Sequence, residues 1–109
     1  MTAVLRLKKR SKYNAKPTVV DGIRFASKRE ASRYLVLRGM EKAGQIEYLQ
    51  RQWPFNLRVN NTKVGTYVAD FVYYRNGGRV IEDCKGYRTR EYKLKKRIMA
   101  AMGYEIVET

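Results

Sequence analysis

The tripeptide Asn76-Gly77-Gly78 stands between two β-prone runs, Thr66 to Tyr74 and Arg79 to Lys85. Asn-Gly adopts the positive φ angles of a two-residue hairpin turn at little steric cost, so the runs are read as adjacent antiparallel strands. With Asn76 and Gly77 central, Arg75 faces Gly78, and counting outward along both strands sets Asp70 directly opposite Asp83. A four-residue loop from Arg75 to Gly78 keeps this register. A three-residue loop would set Asp70 against Cys84 unless a bulge intervened. The first run, with Tyr67, Val68, Phe71, Val72, Tyr73 and Tyr74, is apolar on both faces as in a central strand, and Asp70 is its one charge.

The other elements follow from local chemistry. Thr18-Val19-Val20 and Ile23-Arg24-Phe25 flank Asp21-Gly22, a second hairpin signal. Ser27 and Glu30 have the spacing of a capping box, which opens a helix over about 28 to 43 with Ala31, Tyr34, Leu35, Leu37 and Met40 on its apolar stripe, closed by Ala43-Gly44. Ile46 to Arg58 roughly alternates, and Pro54 confines it to a sheet edge or splits it. Thr89 caps a second helix, with Leu94, Ile98, Ala101 and Met102 inward and Arg90, Lys93, Lys96 and Arg97 outward, and Gly103 ends it. Tyr104 to Val107 is a short last strand. The expected fold is α/β of the α+β kind: helix, three-stranded antiparallel meander, helix, short strand.

With 109 residues the chain fits one domain, expected over 17–109 behind a flexible basic arm, residues 1–16, which carries six Lys and Arg and no acid. Over the whole chain 24 Lys and Arg oppose 10 Asp and Glu, a net charge of +14 that calls for a polyanionic partner, nucleic acid first. The absence of histidine excludes Ser-His-Asp and Cys-His nucleophilic sites and His-ligated zinc. The single cysteine, Cys84, permits no intrachain disulfide, and no apolar run approaches the roughly 18 residues of a membrane span. A cytoplasmic protein without membrane attachment is expected, inside the host cell if the gene is a phage's.

Two carboxylates paired across strands should destabilise a sheet unless something offsets their repulsion. A divalent cation does so, since hard oxygen ligands suit Mg²⁺ or Mn²⁺; otherwise one carboxyl must hold a proton. Lys85 follows Asp83 at period two, on the same face and within reach of a bound water or phosphate. Glu82 points to the opposite face and stays outside the site.

An acid on one strand followed by Asp-x-Lys on the next resembles the PD-(D/E)XK nuclease superfamily, with Val68-Ala69-Asp70-Phe71 and Asp83-Cys84-Lys85 as the two elements. More narrowly, Lys12-Tyr13-Asn14-Ala15, the Asp-Gly hairpin, Phe25 to Ala31 and Glu82-Asp83-Cys84-Lys85-Gly86 look like a small phage and prophage family whose members are labelled as of unknown function or as endonucleases. The resemblance covers about residues 12 to 109; Ala69 stands where the superfamily's name has proline. It implies a restriction-endonuclease-like core and a Mg²⁺-dependent DNA endonuclease, acting on branched DNA as Holliday-junction resolvases do, working as a homodimer and needing no small-molecule cofactor. It further implies that Asp70, Asp83 and the backbone carbonyl of Cys84 hold the metal, that Glu30 joins directly or through water, and that Lys85 orients or deprotonates the attacking water.

Each assignment has a structural competitor. Asp70 can be the partner of Lys85, Asp83 an ordinary exposed acid, and Glu30 a helix cap and nothing more. Cys84 reads as a small apolar side chain, and Trp53 as core or dimer interface before base-stacking platform. Between Lys85 and Arg97 lie seven basic residues and one acid; Arg88, Lys93 and Lys96 are the candidates for phosphate contacts. Gln50 and Gln52 can reach the cleft, although sheet-edge amides explain them equally. A non-catalytic basic protein that coats or recruits nucleic acid is the alternative function.

Overall fold

In the computed structural model, residues 17–85 and 87–109 are described, so the expected arm over 1–16 lies outside the described residues. Among the described residues, six strands and two helices follow one another as β1 (Thr18–Val20), β2 (Ile23–Phe25), α1 (Lys28–Lys42), β3 (Glu47–Val59), β4 (Thr62–Arg75), β5 (Gly78–Asp83), α2 (Arg90–Ala101) and β6 (Ile106–Glu108). Contacts group the chain into Met1–Val36 and Leu37–Thr109, the division falling within α1.

In the first unit, β1 and β2 pair antiparallel through Asp21 and Gly22, both at positive φ (52° and 74°), as the Asp-Gly signal requires. Ser27 Oγ accepts the Glu30 N–H at 3.2 Å and opens α1. The Phe25 and Tyr34 rings lie 5.0 Å apart, and the Tyr34 hydroxyl donates to Asp21 Oδ2 at 3.4 Å. Ala31 and Tyr34 are buried, whereas Leu35 and Val36, one and two positions further round the helix, are exposed. The apolar stripe is narrower than the sequence implies.

In the second unit the sheet order is β3-β4-β5-β6, antiparallel through β5 and parallel between β5 and β6. This is the expected meander with a short last strand. Arg75 faces Gly78 and the register runs back to Phe71 facing Glu82, so the Asn76-Gly77 turn sets the expected register as far as that pair. Pro54 stays within β3, which is the edge strand as its missing N–H demands. Glu41 Oε2 accepts the Leu49 N–H at 3.0 Å and ties the end of α1 to the start of β3.

Several boundaries differ from the sequence reading. β3 and β4 run on past Arg58 and Thr66 to a two-residue turn at Asn60 and Asn61, with φ of 49° and 67°. Asparagine tolerates the left-handed region better than other residues with a Cβ, so this pair closes a hairpin without glycine. β5 ends at Asp83, before Cys84 and Lys85. In α2, Thr89 caps as expected, its Oγ1 accepting the Tyr92 N–H at 3.0 Å. The inward face is Tyr92 and Met99 with Ile98 and Met102; Leu94 (54% exposed) and Ala101 point outward. Trp53 is 42% exposed on β3 and is no part of the core.

The core of this unit joins Phe55, Leu57, Tyr67, Ala69, Val72, Ile81 and Ile106 on the sheet to Tyr92 and Met99 on α2. Along β4 its spacing is two from Tyr67 to Ala69, then three to Val72. Asp70 sits at this change of period. Across from it, in the register set by Arg51–Phe71 and Trp53–Ala69, Gln52 takes the left-handed conformation (φ 52°). The two strands turn together there, and strict alternation cannot be read through the turn.

Candidate active site

Asp70 and Asp83 come from the central strand pair, one register step beyond Phe71–Glu82. Asp83 is 1% exposed. Its Oδ2 accepts the hydroxyl of Tyr67, a buried contact from β4. Lys85 Nζ lies 3.0 Å from its Oδ1, yet that buried oxygen accepts no hydrogen bond of ordinary geometry among the described residues. Asp70 is held from two sides: the Cys84 N–H donates to Oδ2 at 2.9 Å and Gln52 Nε2 to Oδ1 at 3.3 Å.

Burial pushes the Asp83 carboxyl up from 3.8 to about 7, and the adjacent Asp70 carboxyl adds to the shift through a hydrogen bond and its charge. Tyr67 and Lys85 act in the opposite sense without cancelling it. The sheet thus forces two acids together and supplies one ammonium, which leaves room for a further cation or a proton. Burial and the neighbouring Asp83 charge hold the Tyr67 phenol far above its usual range, so Tyr67 is a fixed donor to this carboxylate.

Beyond the acids the site continues onto α2 and β6. The Lys85 ammonium lies 4.4 Å above the centre of the Tyr92 ring, a cation–π contact that holds it beside Asp83. Parallel pairing sets Glu108 beside Asp83. Glu108 gathers Arg88 (Nη2 2.6 Å, Nε 2.8 Å), Lys96 (3.0 Å) and the Tyr92 hydroxyl (2.8 Å). These donors, Arg88 first, bring its carboxyl down to about 2. The stability Glu108 contributes is therefore full above about 4.5 and lost as pH falls toward 2. In thermal unfolding, Glu108→Gln should melt below the parent at neutral pH, and the gap should narrow as the pH is lowered through that window.

A family described as "Protein of unknown function (DUF1064)" matches residues 10–108. The chain belongs to that family. No curated protein matches it. The family match takes in every described helix and strand, so the acid pair lies within the matched residues.

Of the residues singled out from sequence, Asp70, Asp83 and Lys85 come together. Cys84 contributes its N–H to Asp70, and its Sγ stands 3.3 Å from Thr109 Oγ1. Glu30 is buried in the N-terminal unit, where its backbone N–H meets the Ser27 cap. Among the described residues no three His, Cys, Asp or Glu side chains gather in metal-ligating geometry. Arg88 and Lys96, expected to face phosphate, are paired with Glu108, whereas Lys93 is exposed. Glu82 is buried on the other face, as expected, where the Tyr73 hydroxyl and Thr109 Oγ1 donate to it.

Sequence reasoning missed Tyr67, Tyr92 and Glu108 and left Gln52 open. Tyr67 is three residues before Asp70, a spacing that joins one face only because the period changes there. Glu108 depends on the parallel docking of β6. No local signal announces either.

Among the described residues, no helix is long and apolar enough to cross a membrane.

Proposed function

We propose that this protein is a Mg²⁺- or Mn²⁺-dependent DNA endonuclease with a restriction-endonuclease-like core, hydrolysing phosphodiester bonds, branched DNA such as a four-way junction included. The observation that carries the reading is the Asp70–Asp83 pair, in which the buried Asp83 Oδ1 lacks a well-formed hydrogen bond and whose charge one lysine offsets only in part. Two adjacent hard carboxylates with such an orphaned oxygen fit a small divalent ion. Asp70 and Asp83 would hold it, the Cys84 carbonyl being the further ligand of this unit that the resemblance implies. When bound, such an ion polarises the phosphate and lowers the pKa of its water, the chemistry a chain without histidine otherwise lacks.

The chain's own side chains have separate tasks in this reading. Lys85, held by the Asp83 carboxylate and the Tyr92 ring, presents a positive charge where the attacked phosphate gains negative charge. Tyr67 fixes the orientation of Asp83, and Gln52 with the Cys84 N–H fixes that of Asp70. Exposed Lys93 supplies a phosphate contact beside the site. The reading extends to a homodimer in the cytoplasm, because one chain offers one such site and a duplex has two strands to cut.

The test is incubation of supercoiled plasmid and of a synthetic four-way junction with Mg²⁺, with Mn²⁺ and with chelator. Cleavage is expected with either ion, none with chelator, and none with Asp70→Asn. Cleavage that ignores chelation or survives that substitution overturns the site. Salt-sensitive binding without hydrolysis under every condition supports instead a non-catalytic nucleic-acid-binding protein, a reading favoured by the net charge of +14.

A further inference from the structure

The β3–β4 pair runs past the core as a two-stranded ribbon. The Arg58 N–H donates at 3.4 Å to Sδ of Met102, the residue that follows α2, and beyond Arg58 the residues Val59, Asn60, Asn61 and Thr62 close the turn in the open. At the base of this tip Arg58 faces Lys63 directly across the strands, and both are exposed. Like charges so placed destabilise a hairpin. Neither side chain makes an ion pair among the described residues; Arg58 Nη1 reaches only the Asn61 carbonyl, at 3.3 Å. From Tyr48 to Ala69 the sequence has three basic residues and no acid.

We propose that this tip is a groove-reading ribbon for B-form duplex DNA, with Arg58 and Lys63, which share one face of the ribbon, meeting backbone phosphates beside the groove and Asn60 and Asn61 meeting base edges. The dimensions agree. Two residues per arm beyond Arg58, at about 3.3 Å each, reach roughly 7 Å, close to the depth of a B-DNA major groove, which is about 8.5 Å and wide enough for a two-stranded ribbon. The A-form major groove of duplex RNA is deep and too narrow for side chains to read, so the ribbon selects DNA. Asparagine at the tip also has the paired donor and acceptor that adenine presents in that groove. The proposal takes from the cleavage reading only that the partner is nucleic acid.

Binding of a DNA duplex and of the RNA duplex of the same sequence, followed by fluorescence anisotropy in chelator across a salt titration, tests it without any cleavage. Tighter binding of DNA is expected. The double variant Arg58→Gln/Lys63→Gln should weaken DNA binding about tenfold or more near 0.1 M salt and flatten the log–log salt dependence by about 1.8, since each lost phosphate contact removes about 0.9. RNA affinity should change by less than about twofold, because the ribbon does not enter that groove. Asn60→Gly/Asn61→Gly, which keeps the turn conformation, should lower DNA affinity without altering the salt slope, and thermal unfolding confirms that each variant folds. Unchanged DNA affinity in the basic double variant, or an equal loss on RNA, overturns the proposal. Failure of the cleavage reading shows separately, as intact DNA in the presence of metal.

Discussion

Replacing Asp83 with Asn is expected to abolish the proposed metal-dependent cleavage and at the same time to make the protein more stable in mildly alkaline solution. Burial and Asp70 hold the Asp83 carboxyl at about 7, well above the 3.8 of a free aspartate. The folded protein thus keeps this proton to a higher pH than the unfolded chain does. The ionised group subtracts stability progressively as pH rises from about 4 through about 7 and leaves the deficit in place above. Asparagine has the same shape and still accepts the Tyr67 hydroxyl, but it carries no charge to repel Asp70. The melting temperature of Asp83→Asn should exceed the parent's near pH 8 and converge with it near pH 4, while plasmid cleavage falls on the order of 10³-fold or more. A purely structural Asp83 gives the opposite pattern: a variant less stable at every pH. Mg²⁺ should raise the parent's melting temperature more near pH 8 than near pH 6, because ion and proton compete for one carboxylate, and the increment should vanish in the variant.

The second large effect is expected at Lys85. Lys85→Gln removes the ammonium 3.0 Å from Asp83 and should lower cleavage about 10²- to 10⁴-fold, the range for a group that moves a proton or offsets charge in the transition state. Its distinguishing readout is a pH profile. Lys85 draws the Asp83 carboxyl downward, so without it the group shifts further up. The pH above which Mg²⁺ stabilises the protein should move upward, while Mg²⁺ still binds at sufficiently high pH. Loss of metal stabilisation at every pH would make Lys85 a structural support of the acid pair, and retained cleavage would remove it from the chemistry.

How much of this was legible in sequence depends on the range of the signal. Asn76-Gly77 fixed the β4–β5 register because a two-residue turn leaves no slack, and with it the meeting of Asp70 and Asp83. The Ser27 and Thr89 caps and the Asp21-Gly22 turn are likewise decided within four residues. The Asn60-Asn61 turn carries a weaker signal, since Asn is less committed to positive φ than Gly, and the ribbon was read as two separate strands. Leu94 reads as inward because apolar character alone does not fix which helix face is covered, and α2 instead seats Tyr92 and Met99 on the sheet; of the two readings of Trp53, core or dimer interface, its exposure removes the first. The partners of the acid pair were hidden for a different reason. Tyr67 depends on a period change at Asp70, and Glu108 on a parallel pairing between segments separated by a helix, which no local pattern encodes.

The outer rims of the sheet bear on how copies of this protein can associate. Along β3, Pro54 has no N–H to offer, and Tyr48 and Gln52, both at positive φ, break the regular row of donors and acceptors. On the far side β6 is three residues long. Neither rim is a good template for an incoming strand, so continuous cross-chain sheets, with the aggregation they invite, are disfavoured, and self-assembly is left to side-chain surfaces.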